Sequence, residues 1–422
     1  MTSATHGNKR DRRLWTLAAS VSMAGDNALW LALAIWSKNL THSNGRAAFA
    51  AFAYMAPGVL APFVGLLADR MRRRTLLVVA DVVMAGWVCL AFAIHDRGSA
   101  WVAYPILAGL GIASSATSAA GGAMLAAITP PEELGRANGS LRAAKEAGLL
   151  VAPLVGAGLY SAVGGRAVAL LDAVTFLVAA GCVTAIRWRE PAPEPPSGEP
   201  LRHELTAGVM HIARSPVLRH LVGAVGGALL AVGLLEAALY SLLQHDLHRP
   251  PTFIGVISVV QGVAAVTCGL AAGAIEERIG VRRMMLLGLV VVAVGSAAPL
   301  VPGLVGVLGA AALFGVGAPL AVVALFTGLQ RETPNRLQGR VNAASNLLVT
   351  APQVLSTAVG AAVVDHLDYR VLLVVMTAGV LLSTLWLLTR PSPPLPVAAT
   401  DGARADQTAD GLLLDEPVAS VV

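Results

Sequence analysis

The feature that most constrains this chain is an apolar run of roughly twenty residues that recurs about a dozen times between short charged or turn-rich breaks. A run of that length crosses the hydrocarbon layer as one α-helix, the element that satisfies its backbone hydrogen bonds internally. The runs lie near 14–36, 47–68, 75–94, 100–128, 142–163 and 167–186, and then near 217–243, 252–275, 284–302, 304–329, 342–364 and 371–389. Composition agrees: 56% of the 422 residues are hydrophobic and 13% are charged, with a mean hydropathy of +0.69. No water-soluble core needs that much, which argues against a secreted disulfide scaffold, a disordered chain and a soluble enzyme. Cys89, Cys182 and Cys268 all fall inside apolar runs, where a thiol packs as a small hydrophobe, and no structural disulfide is expected. The stretch from Leu14 is too long for a cleaved signal and reads as a retained first span.

The expected fold is therefore an all-α integral membrane protein with 12 transmembrane helices in two pseudo-symmetric six-helix bundles. An N-terminal arm (1–13) precedes the first bundle (14–186), and a Pro- and Glu-rich linker (187–216) carrying a short amphipathic surface helix precedes the second (217–389). The tail (390–422) is rich in Pro, Ala and Asp without periodicity and is expected to be disordered. With the amino terminus inside, 24 of the 30 Lys and Arg residues fall on the cytoplasmic side, leaving only Lys38, Arg46, Arg97, Arg166, Arg249 and Arg370 outside. Positive residues stay on the cytoplasmic face, so both termini are expected there, in a multi-pass protein of the cell membrane. The net charge of +5 is then a topology signal. Scattered Arg with 5% aromatic residues offers no nucleic-acid surface.

The halves repeat one another. GLLADRMRRR (65–74) answers GAIEERIGVRR (273–283) at an offset of 208, and TPPEELGRANGSL from Thr129 answers TPNRLQGRVNAASNL from Thr333 at 204. The second match carries Arg136 onto Arg340, and DNALW at Asp26 answers EAALY at Glu236 at 210. Two like halves around a central site is how a secondary transporter is built. The GxLADR-type loop, GDNAL in span 1, VVADVV in span 3, the GRANGSL and GRVNAASN starts of spans 5 and 11, and ALLDAVTFLVAA in span 6 resemble the major facilitator superfamily. Within it they resemble the branch with macrolide-efflux-like and enterobactin-exporter-like proteins, nearly over the whole chain.

Asp26 lies about eleven residues, or roughly 16 Å, into span 1, near the bilayer centre. A carboxyl there is expected to be protonated, paired or turned to a wet cavity, and so able to take and release a proton; a helix-packing hydrogen bond is the bland alternative. Glu236 occupies the matching place in the other half, and the two flanking one cavity would couple protons to cargo. Asn27, Trp30, Tyr54, Tyr240 and Gln261 are candidate cavity residues, with packing an equal reading for the aromatic ones. Trp15, Trp188 and Trp386 are expected in interface belts.

Gly65, Asp69, Arg70, Arg73 and Arg74 form a candidate gate after span 2, to which Asp81, Arg136, Glu277, Arg278 and Arg340 are added. Asp81 stands one to two turns from the Arg72–Arg74 cluster and can pair with it. The resemblance implies that this loop latches the cytoplasmic side in the outward-facing state, with Glu277 and Arg278 a weaker second copy. Arg72 stands where the family often has Gly, whereas Gly280 keeps it. Pro153 and Gly156, in a stretch resembling the antiporter motif of drug exporters, and Asp172 are assigned to helix packing.

The implied function is proton-coupled antiport exporting a small organic molecule by alternating access. An importer or facilitator is the alternative, with a non-transporting receptor or an integral-membrane enzyme more distant. Only Lys9, Lys38 and Lys145 occur and none follows Gly, so a Walker A loop is absent; HExxH and GxSxG are absent at the membrane faces too. His245 and His248 have no companions to hold a metal. No cofactor or metal is expected, and the partners are a small-molecule substrate, protons and the lipid bilayer, in a functional monomer.

Overall fold

The computed structural model describes residues 9–60, 71–188, 190, 201–301, 303–334 and 337–390. The first half contains α1 (Lys9–Thr41), α2 (Asn44–Met55, continued by a 3₁₀ turn over Ala56–Leu60), α3 (Arg73–Val88), α4 (Ala103–Ile128), α5 (Pro131–Val163) and α6 (Gly165–Thr184). The second contains α7 (Leu201–Arg214), α8 (Pro216–Val232), α9 (Leu235–His245), α10 (Ile254–Ile279), α11 (Val281–Ala297), α12 (Leu304–Glu332), α13 (Gln338–Val363) and α14 (Tyr369–Thr389). Among the described residues, ten helical segments are long and apolar enough to cross a bilayer, with α8 and α9 together making one. The two expected spans left are α5, whose apolar part is Val151–Val163, and α2, whose run continues into residues outside the description.

Local sequence sets the ends. Ser43 accepts from Arg46 N–H at 3.0 Å at the start of α2, and Ser215 accepts from Leu218 N–H at 3.3 Å ahead of Pro216 in α8. Between α10 and α11 the chain turns at Gly280 with φ +79°, a conformation costly to any residue with a Cβ. Its counterpart in the repeat, Arg72, has φ −62° and ψ 121°, so the first copy does not need the glycine that the family pattern favours. The repeat is otherwise close. Thr129 and Thr333 end α4 and α12 with φ/ψ of −117/128° and −114/123°, and both hydroxyls are buried without a partner.

The helix pairings repeat as well. In the first half α1 packs on α5 and α6, α3 on α4 and α6, and α2 on α4. In the second, the α8/α9 segment packs on α13 and α14, α11 on α12 and α14, and α10 on α12. These are the same pairings under exchange of the halves. The halves meet along α2–α13 and α5–α10, two seams that the same exchange interchanges.

We call the end holding Lys9, Thr129, Glu276 and Arg390 the base, and the end holding Thr41, Val163, His245 and Val363 the apex. The apical core is a single cluster drawn from both halves, running from Leu29–Ile35 and Ala47–Ala53 through Tyr240 and Ile254 to Met376. At the base the core splits in two. One cluster belongs to the first half, around Trp15, Met124 and Val183, and one to the second, around Leu218, Met284 and Ala324. Trp15, expected in an interface belt, is buried and pressed against Gly121 of α4. The linker helix α7 is not a free surface helix either: Ile212 is buried in the basal core of the second half, and a Cβ on Gly208 would come within 2.8 Å of the Arg340 carbonyl carbon.

Candidate functional site: buried carboxyls above a split base

Along one face of α1, Lys9, Arg13, Thr16, Ser20, Met23, Asn27 and Trp30 are all at least partly accessible, at the three- and four-residue spacing that keeps them in line. The stripe then stops. Leu31 to Ile35 are each at most 1% exposed, sealing α1 under the apical core. Accessibility from the base to mid-helix followed by a plug matches the split basal core.

Asp26 stands at the top of the accessible stretch, about 25 Å along α1 from Lys9 at 1.5 Å per residue. It is buried, and its Oδ1 has no hydrogen-bond partner. Burial is the main influence on it, and its acidic neighbours are Asp172 on α6 and, next, Asp81 on α3. Asp172 is fully buried; its Oδ1 accepts from Thr175 Oγ1 at 3.0 Å, while its Oδ2 is unpartnered. A methyl group on Gly25 would collide with both Asp172 Oδ1 and Thr175 Oγ1, so α6 lays this pair directly on α1 beside Asp26. Asp172 therefore packs against α1 next to Asp26. Asp81 is also buried, and the expected pairing with the arginine cluster is not what Arg74 makes: its guanidinium reaches the Thr184 carbonyl and its N–H meets Glu190 at 3.1 Å.

Trp30 and Tyr54 pack with ring centroids 6.2 Å apart. Tyr54 hydrogen-bonds Ser114 and feels the charge of Asp26, so it closes the acidic cluster from α2. Trp30 Nε1 is buried without a partner. Asn27 Nδ2 donates to the Met23 carbonyl at 2.7 Å. These residues come together. Glu236 and Tyr240 form a separate group on α9: Tyr240 is buried and feels Glu236, whose residue is partly accessible. Gln261 is exposed on α10.

The apolar run at 217–243 predicts one continuous helix for span 7. It breaks between Val232 and Leu235, which puts Glu236 in the first turn of α9. The signal was Gly233, where a Cβ would come within 2.7 Å of Ser356 Cβ. A carboxylate at a half-helix N-terminus inside the membrane is favoured by the helix dipole.

The apical seam is polar at its rim. Asp365, at the end of α13, accepts from the backbone N–H groups of Asn44 at 2.9 Å and Gly45 at 3.2 Å and from the Ser43 hydroxyl. Lys38, buried in the first half, donates to Asn44 Oδ1 and to Gln244 Oε1 of the second half. Deeper, Gly156 of α5 lets α1 approach so closely that a Cβ there would lie 2.7 Å from Ala28 Cα. Pro153 presents its carbonyl to Gly255 of α10, whose added Cβ would sit 3.5 Å away.

At the base, several polar contacts lie within one half. Asp11 accepts from the N–H groups of Arg187 and Trp188 at 3.2 and 3.1 Å, and Arg12 pairs with Glu133. Glu190 accepts from the N–H groups of Arg73 and Arg74 at the start of α3. In the second half Glu277 and Arg278 are exposed, and the ion pair is made by the preceding residue, Glu276, with Arg331 at 2.9 Å. Gly65, Asp69 and Arg70, and the side chain of Arg136, lie outside the described residues.

The sequence profile of the Major Facilitator Superfamily matches residues 15–241 and 221–418. The chain is similar to the enterobactin exporter EntS of Citrobacter koseri, with 27% identity over 369 residues and 83% of each chain covered. EntS of Escherichia coli gives 27% over 371 residues, again covering 83% of each. Among solved structures, a bacterial homologue of the iron transporter ferroportin in an inward-facing state superposes with a TM-score of 0.68 at 18% identity, over 90% of this chain and 99% of that one. The nucleoside transporter NupG superposes with a TM-score of 0.74 at 10% identity, over 90% and 99%. At such identities these two show a shared fold.

Proposed function

Since the chain belongs to the Major Facilitator Superfamily and is a multi-pass membrane transporter, we propose that it is a secondary exporter. It moves a small organic molecule out of the cell by alternating access, driven by protons returning inward. The observation that carries this reading is the single apical core above two separate basal cores, with Asp26 buried where the accessible face of α1 ends. Such a body has a closed end, an open end and a carboxyl positioned to change charge between them. The exporter names of its relatives support the direction.

The bias of Lys and Arg toward the base makes the base the cytoplasmic end, so the described conformation is open inward and both termini are cytoplasmic. Cargo enters from the base along the α1 stripe and meets Asn27, Trp30 and Tyr54, with the partly accessible Glu236 contributed by the other half. Aromatic walls favour bulky amphipathic molecules. Asp26 takes a proton in one half of the cycle and releases it in the other, since an unneutralised carboxylate at this depth is costly.

A growth-inhibition panel with and without the gene identifies candidate cargo, and flux of each hit in everted vesicles gives direction and coupling. The reading requires uptake into everted vesicles that collapses when the pH gradient is dissipated. Flux in the opposite sense, or flux indifferent to the gradient, overturns it.

A further inference from the structure

Asp172 has no part in the cargo path, yet it is completely buried and only half satisfied: Oδ1 takes the Thr175 hydroxyl and Oδ2 takes nothing. One residue beyond the Gly25 contact, Asp26 carries a second unpartnered buried oxygen. Two carboxyl groups held side by side in a low-dielectric interior cannot both remain charged without a compensating cation. Among the side chains that are described, the surrounding elements supply none. From α3 comes Asp81, a third acid, and from α2 and α4 come Tyr54 and Ser114. α5 meets α1 at Gly148 beside Met23 and at Gly156 beside Ala28, and every residue between those two glycines is apolar. Arg142, Lys145 and Glu146 precede this stretch in the sequence, and their side chains lie outside the description.

We infer that Asp26 and Asp172 form a two-carboxyl site, seated between α1 and α6 and tuned by Thr175, that binds one proton between them as the coupling ion. This deepens the proposed function, on which its role in transport rests, and moves the partner of Asp26 from Glu236 to Asp172. The ligand is a proton and not a divalent metal because metal binding needs more donors: among the described residues no three Asp, Glu, His or Cys side chains are grouped to hold an ion. Gly25 is what permits the site, since any side chain there would push Asp172 and Thr175 away from α1.

The test needs no cargo. Full-length protein in lipid is studied by infrared difference spectroscopy between acid and alkaline buffer, following the carbonyl stretch of protonated carboxyl groups. The wild type is expected to lose one such band on alkalinisation. Asp26→Asn and Asp172→Asn should each leave one carboxyl band whose midpoint moves by about tenfold in proton concentration, and Thr175→Val should shift its frequency with both acids in place. A spectrum of Asp172→Asn that superimposes on the wild type overturns the proposal. If Asp172→Asn does not fold, an unshifted band in Thr175→Val overturns it equally. Loss of the band on adding Na⁺ or Mn²⁺ at constant pH would assign the site to a metal ion and also overturn it. A proton-exchanging pair in a chain that shows no gradient-driven flux would leave this site standing and remove the export reading. Flux without the band would do the reverse.

Discussion

Asp26 illustrates what a single residue discloses. A carboxyl in the middle of an apolar run is conspicuous in any sequence, because lipid tolerates it only where something neutralises it. Its partner was not legible: Asp172 is as visible as Asp26, but bringing the two together depends on the rotation of α6 about its axis relative to α1, fixed by the Gly25 contact. Asp26→Asn is expected to abolish gradient-driven flux while the protein still folds and inserts; wild-type flux in proteoliposomes would contradict this. Gly25→Ala drives a methyl group into Asp172 and Thr175 and should destabilise the first half by about 1–3 kcal/mol. A thermal-unfolding series in detergent reads that loss, and an unchanged melting temperature would mean that α6 yields easily. Trp15 shows the opposite failure, for its place near a span end suggested the interface, and only the packing of α4 against α1 through Gly121 reveals it as core.

At the scale of elements, the repeat was the most readable property, since duplicated loops need no tertiary information to be recognised. It anticipated the matched pairings and the identical turns at Thr129 and Thr333. The break between α8 and α9 was not anticipated, because Gly is common in spanning helices and Gly233 is one of several glycines in its run. The apical clasp was hidden for another reason: Asp365 sits in a short polar loop, and its attachment to Asn44 and Gly45 joins residues more than three hundred positions apart. Asp365→Ala removes three hydrogen bonds between the halves. At about 1 kcal/mol each, discounted for exposure at the rim, the apex-open population should rise at least about tenfold. Cysteine accessibility at Ala48, fully buried in the seam, would report it as faster labelling of Ala48→Cys; an unchanged rate would show that the apolar seam alone holds the apex. Gly156→Leu, where even a Cβ meets α1, should separate α1 from α5 and slow cycling more than it weakens cargo binding. Equal losses in flux and binding would count against that role.

As a whole molecule, the proposed exporter is two similar bodies that part at one end when they close at the other. Composition and the spacing of apolar runs announced the membrane and the two bundles, but conformation is not written in either, because both states of a rocking transporter bury the same helices. What supports the proposed inward-open state is the asymmetry between one apical core and two basal ones. The most direct measurement is therefore a pair of spin-label distances in a cysteine-free background. One spans the apex, between Arg46 and Leu367, and the other spans the base, between Thr75 and Arg283, all four being exposed. Across acid and alkaline pH, and again with Asp26→Asn, the two distances are predicted to change in opposite senses, the apex lengthening as the base shortens. Distances that stay fixed, or that lengthen and shorten together, would contradict proton-driven alternating access in this protein.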